Sequence, residues 1–243
     1  MTPLLEVDGV SKAFGAVHAL QNASLTVERG SITALIGPNG SGKTTLFNVI
    51  TGYLKADTGR VRFDGHDVTG VKPAYLYRHG LCRTFQQARV FGELTVLENL
   101  VVAGGFPLAQ LFGRRIGRSD RNRAGALLDE FTLTRVADLY ASELSYGQRK
   151  LLEFAAVLMS EPKLVLLDEP TAGVNPVLIE TMAKHITRRH ADGTTFLIVE
   201  HDMNFVMRLC DPVIVLDQGQ EICVGPPSVV QDDPAVLDAY LGA

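Results

Sequence analysis

The stretch Ser31 to Leu54, SITALIGPNGSGKTTLFNVITGYL, constrains the fold more than any other part of the chain. It opens as a short apolar run, the pattern of a buried strand, and breaks at glycine and proline. TTLFNVITGYL then reads as a helix. Between them, Gly37 to Thr44 (GPNGSGKT) fits Gly-x4-Gly-Lys-[Ser/Thr] in full, in the strand–loop–helix setting that this pattern requires. Glycines let the backbone turn tightly, so successive N–H groups point inward at phosphate oxygens. A helix starting near Lys43 adds the positive end of its dipole. The candidate nucleotide contacts are Gly37, Pro38, Asn39, Gly40, Ser41, Gly42, Lys43, Thr44 and Thr45. Lys43 is placed to reach the terminal phosphates, and the Thr44 hydroxyl to meet Mg2+.

Other short apolar runs share the strand pattern. KLVLLDEP and TTFLIVEHD each end in acidic residues or histidine, and DPVIVLDQGQEICVG reads as strand–turn–strand. GRVRFDGHDV alternates around Asp64-Gly65, a two-residue hairpin signal. Continuous apolar strands separated by helical patterns predict a mostly parallel α/β sheet buried on both faces. Residues from about Val90 to Ser160 carry LTVLENLVVAGG, AGALLDEFTL and LLEFAAVLM with no strand signal. They predict a helical subdomain over 90–160, inserted into a core formed by 1–89 and 161–243. The arginine-dense run FGRRIGRSDRNR is expected to be a solvated face.

Two carboxylates stand at the end of LVLLDEP. Asp168 is the candidate Mg2+ holder, and Glu169 the candidate base or polariser of water beside the γ-phosphate. His201, at the end of the next apolar run, is a candidate γ-phosphate contact, because the ends of parallel strands in such sheets share one edge. The chain has 243 residues and a formal net charge of −4, a balance that argues against a surface coating nucleic acid. The 3 cysteines form no Cys-x-x-Cys pair, so neither a disulfide framework nor a zinc site is indicated. No secretory signal and no apolar run of about 20 residues is visible, so work at a membrane would require docking onto another protein.

Five elements stand in order: GPNGSGKT, RTFQQ, LSYGQ, LVLLDEP and VEHD. That order resembles the ATP-binding subunit of ABC transporters, over essentially the whole chain. The resemblance implies one ABC domain over 1–243, with a P-loop NTPase (RecA-like) core, an antiparallel β subdomain and the inserted helical subdomain. It implies ATP and Mg2+ as ligands and hydrolysis of ATP as the reaction. Two such subunits would stack head to tail, each ATP lying between one subunit's phosphate loop and the other's signature, here Ser145, Gly147 and Gln148. Gln86 would touch Mg2+ or the catalytic water, His201 would be the switch histidine, and Phe14 would stack on adenine unless it fills the core. Asn175 stands where the family usually has aspartate. RTFQQARVFGELTVLENL, LSYGQRKLLEFA, AGVNP and AVLDAYLG together resemble the branch serving branched-chain amino-acid importers, with urea and short-chain amide importers nearby. The implied partners are a second, different ATPase subunit, integral membrane permease subunits and an extracytoplasmic solute-binding protein. The implied place is the cytoplasmic face of the membrane.

The segment Glu143 to Lys150, ELSYGQRK, also reads as a helix start: Ser145 with Gln148 three residues on is a capping-box pattern. Such an N-terminus presents N–H groups and a positive dipole end to an anion. Tyr146 then occupies an early helical position with its ring turned away, so that Tyr146→Gly is expected to leave ATPase activity within a few-fold.

Overall fold

The structure, a computed structural model, describes residues 3–85, 89–105 and 117–241. Its strands are β1 (Leu5–Phe14), β2 (Val17–Val27), β3 (Ile32–Ile36), β4 (Thr58–Phe63), β5 (His66–Asp67), β6 (Leu81–Arg83), β7 (Leu164–Asp168), β8 (Thr195–Val199), β9 (Val213–Asp217) and β10 (Gln220–Gly225). Its helices are α1 (Lys43–Ile50), α2 (Pro73–Arg78), α3 (Val96–Ala103), α4 (Arg118–Glu130), α5 (Tyr146–Leu158), α6 (Pro176–Ala191), α7 (Met203–Leu209), α8 (Pro227–Gln231) and α9 (Pro234–Leu241).

The larger sheet has the order β10-β9-β3-β8-β7-β6. Every pairing from β9 to β6 is parallel, and only the β10–β9 hairpin is antiparallel. The four central strands are apolar at nearly every position because both faces are buried. Ile32, Ala34, Val165, Leu167, Phe196, Ile198, Val213 and Val215 face one hydrophobic cluster. Leu35, Leu164, Leu166, Leu197, Val199, Ile214 and Leu216 face the other. The first cluster continues into α3, α4 and α5 through Leu100, Leu128, Leu152 and Phe154. The second takes in α1 and the smaller sheet, β2-β1-β4-β5, which is antiparallel throughout. Between β6 and β7 the described residues form helices and 3-10 turns, joined by one isolated bridge, Thr95 to Tyr140.

The β4–β5 hairpin turns at Asp64 (φ 51°) and Gly65 (φ 77°), as two positive-φ residues demand. Strands β1, β2 and β6 escape the periodicity reading. Register shifts between Val7 and Ala13 interrupt the alternation of β1 and β2, and β6 is only three residues long.

Candidate active site

The phosphate loop lies between β3 and α1. A Cβ on Gly37 (φ 148°) would sit 2.0 Å from the Leu216 carbonyl oxygen, and one on Gly42 (φ 102°) 2.4 Å from that of Ala19. Only glycine lets the loop press this closely on β9 and β2. Gly42 caps α1 with no side-chain hydrogen bond, and the first turn carries no acid. The helix therefore keeps its first N–H groups and dipole end for an anion. Lys43 is buried and folds back over the loop, donating from Nζ to the carbonyls of Gly37 and Pro38 at 2.8 Å each and to Ser41 Oγ at 3.3 Å. Burial pulls its ammonium below the usual lysine range, opposed by Glu169. Thr44 is exposed and Thr45 half-buried.

Asp168 ends β7, Glu169 follows it, and β8 ends two residues before His201, so all three stand at the carboxyl ends of the parallel strands, the edge at which the phosphate loop leaves β3. Asp168 is buried and its Oδ2 accepts from Arg83 Nη2 at 2.6 Å, a partner that the sequence reading does not foresee. Arg83 Nη1 also donates to Asn48 Oδ1 at 2.7 Å and Thr51 Oγ1 at 3.2 Å, tying β6 to α1. A carboxylate and the Thr44 hydroxyl beside phosphates suit Mg2+, which takes few protein ligands and keeps waters and phosphate oxygens. Glu169 adopts φ 47°, a left-handed conformation that costs a non-glycine residue about 1–2 kcal/mol. Its N–H is held by the Val199 carbonyl at 2.9 Å, and its Oε1 lies 2.9 Å from His201 Nε2.

The N-terminus of α5 carries the capping box. Ser145 Oγ accepts from Gln148 N–H at 3.3 Å, and Gln148 Oε1 accepts from Ser145 N–H at 2.9 Å. The Tyr146 ring has a contact that the sequence does not announce. Its hydroxyl donates to the Ala172 carbonyl at 3.2 Å, and a Cβ on Gly173 would sit 3.5 Å from its Cε1. The ring thus leans on the loop after β7. Gly147 packs against α6, where a Cβ would come 2.9 Å from Leu178 Cδ2. Asn175 spends its Oδ1 on its own helix, accepting from Leu178 N–H at 2.9 Å as the cap of α6. Phe14 is 50% exposed at the end of β1, so it does not fill the core. Lys12 Nζ stands 5.7 Å from its ring centroid. Phe14 pairs with Val17, two residues before the Ala19 carbonyl that abuts the phosphate loop. Gln86 lies outside the described residues.

A family model described as "ABC transporter" matches residues 20–172, more than half of the chain. The chain belongs to the ABC transporter family. A second model, "Branched-chain amino acid ATP-binding cassette transporter", matches residues 220–243 of this cassette. The cassette is 42% identical over 250 residues to a probable branched-chain amino acid transport ATP-binding protein LivG of Methanocaldococcus jannaschii, covering 98% of this chain and 97% of that one. It is 39% identical to the high-affinity branched-chain amino acid transport ATP-binding protein BraF of Pseudomonas aeruginosa, covering 99% and 98%. Among solved structures, a nucleotide-free ATP-binding cassette from an ABC transporter matches with TM-score 0.88 and 40% identity over 100% of both chains. The ADP conformation of an ATP-binding cassette matches with TM-score 0.88 and 41% identity. The fold is that of an ABC ATPase cassette.

Besides Arg83, three more charged residues of the cassette take no role from the sequence motifs that contain them. Glu153 on α5 is buried, and its Oε1 accepts from Phe85 N–H at 3.1 Å and Arg89 N–H at 3.2 Å, the two ends of the segment that contains Gln86. Burial raises its pKa against these bonds. Lys150, one turn earlier, is buried among Glu153, Asp168, Glu200 and Glu169; burial lowers its pKa while those acids raise it. Glu200 is buried just before His201. A charge inside an otherwise apolar helix or strand end was the available signal for each, since buried charges need partners. Beside Glu153 a cavity of about 660 Å³ opens between α2, α3 and α5, lined by Tyr53, Tyr77, Phe85, Phe91 and Val157 among others.

Proposed function

We propose that this cassette is the ATP-hydrolysing subunit of an importer for branched-chain amino acids, acting at the cytoplasmic face of the membrane with a second, different cassette, permease subunits and, through them, an extracytoplasmic solute-binding protein. The observation that carries the reading is the meeting of Lys43, Asp168, Glu169 and His201 at one edge of the parallel sheet. The solute class is supported by the match of residues 220–243 and by what LivG and BraF are named for.

In this reading the loop N–H groups and Lys43 hold the phosphates, and Phe14 stacks on adenine. Mg2+, when bound, neutralises charge on the terminal phosphate oxygens. Asp168 and Thr44 would hold it, with Gln86. Glu169 polarises or deprotonates the attacking water, and His201, already within hydrogen-bond reach of Glu169, holds the γ-phosphate side of the site. Ser145, Gly147 and Gln148 present the start of α5 to the nucleotide of the partner cassette. ATP binds the closed pair better than the open pair and so shifts the population to closure; hydrolysis removes the bridging charge. The 660 Å³ cavity receives a helix of the permease. Among the described residues no helix is long and apolar enough to cross a membrane, which fits docking onto another chain.

The test is ATPase activity of the reconstituted complex with leucine, isoleucine, valine, urea and short amides supplied to the solute-binding protein. Stimulation by the branched-chain amino acids is expected; stimulation by urea or amides alone would overturn the solute assignment. Glu169→Gln should lose hydrolysis and keep ATP binding, and full turnover in that variant would overturn the site assignment.

A further inference from the structure

Glu200 is 2% exposed and follows the last residue of β8. Among the described residues its hydrogen bonds come from backbone amides, on two different loops. Oε1 accepts from Thr171 N–H at 2.6 Å, on the loop after β7. Oε2 accepts from His201 N–H at 2.9 Å and from Asp202 N–H at 3.4 Å, on the loop after β8. Thr171 is two residues beyond Glu169, whose own carboxylate meets His201 Nε2 at 2.9 Å. One buried carboxylate thus pins both chain segments whose side chains form the Glu169–His201 pair. The short reach of these bonds leaves neither loop free to shift without breaking one. Glu169 sits at φ 47°, a conformation that persists only where its surroundings over-determine it. The bond from its N–H to the Val199 carbonyl holds it on one side, and the Thr171–Glu200 bond on the other.

We infer that Glu200 is a positioning residue for hydrolysis: by accepting from Thr171 and His201 together, it sets the placement of the Glu169 carboxylate against the His201 imidazole. It acts through these backbone amides and not on the reacting atoms. The inference deepens the proposed function and rests on the roles given there to Glu169 and His201. A buried carboxylate is an expensive way to fill this position, since an apolar residue would need no desolvation. What the carboxylate adds is two acceptors aimed in opposite directions. Glutamine supplies only one, and its amide would face an N–H group at the other end.

The experiment is a double-mutant cycle on the assembled transporter, with Glu200→Gln, His201→Ala and the pair, reading kcat and KM for ATP, together with nucleotide affinity and melting temperature of the purified cassette. Glu200→Gln is expected to lower kcat by roughly a hundredfold, the scale of a misplacement near 1 Å, with ATP affinity within about threefold of the parent. In the His201→Ala background, adding Glu200→Gln should change kcat by no more than about twofold, because the two act as one unit. Effects that multiply, or a single-variant kcat within about twofold of the parent, overturn the inference. Glu200→Asp keeps the charge but shortens the reach, and is expected to reproduce the kcat loss if Glu200→Gln does not fold. Loss of folding in both variants would make Glu200 a structural residue and also overturns it. The site assignment fails separately: Glu169→Gln or His201→Ala alone would then leave kcat unchanged.

Discussion

Replacing Arg83 by methionine isolates the electrostatics of the metal-facing carboxylate. Arg83 and Asp168 are paired at 2.6 Å with side chains only 6% and 8% exposed. Removing one partner of a buried pair leaves an uncompensated charge and costs about 3–5 kcal/mol. Part of that is recovered, because the buried Arg83 Nε has no hydrogen-bond partner among the described residues. Removing an orphan donor returns about 1 kcal/mol, for a net loss of roughly 2–4 kcal/mol. Methionine fills much of the space between the Phe47 and Phe85 rings, whose centroids lie 5.5 Å and 5.0 Å from the guanidinium carbon, so cavity cost is small. At about 2–4 °C per kcal/mol for a chain of this size, Arg83→Met should melt about 4–16 °C lower in EDTA. With Mg2+ and ATP the gap should shrink, because a bound cation takes over the compensation of Asp168. Calorimetry under both conditions decides. A loss under about 2 °C, or an equal loss with and without Mg2+ and ATP, would refute the reasoning.

Phe14→Ala should weaken ATP binding by roughly 5- to 150-fold through lost base stacking. Because the ring is half exposed, the melting temperature should barely move; unchanged affinity by equilibrium titration would end the stacking role. Gly147→Ala gains about 1 kcal/mol of helix propensity against a clash with the swinging end of Leu178, so stability should hold while ATPase of the assembled pair falls. Full activity there would mean that the partner's nucleotide does not need the bare backbone. For Glu153 the folded pKa is raised, so its favourable contribution is complete below the unfolded carboxyl pKa and is lost as pH rises through the folded value. Urea unfolding from mildly acid to neutral pH should show Glu153→Gln gaining on the parent as pH rises; parallel curves would contradict the buried-carboxylate reading.

The ordered motifs made the core of this cassette legible before any coordinates. Local chemistry sufficed for them: the phosphate loop requires glycines at Gly37 and Gly42, and a buried parallel strand requires runs such as LVLL. Ser145 and Gln148 announced the helix start for the same reason, since a capping box closes within three residues. Phe14 could be read as core or as ligand contact, and only its exposure in the fold removed the first option.

What the chain by itself determined was each element's type and the chemistry at its end, because propensity, turns and caps act over a few residues. Tertiary structure alone decided which ends meet. The Arg83–Asp168 pair joins residues 85 positions apart, and Tyr146 reaches Ala172 across 26. In a linear reading Glu153 and Glu200 show only as charges in apolar surroundings, with no partner in view. Their roles depend on burial, which converts a solvated carboxylate into an acceptor that must find backbone N–H groups wherever packing brings them.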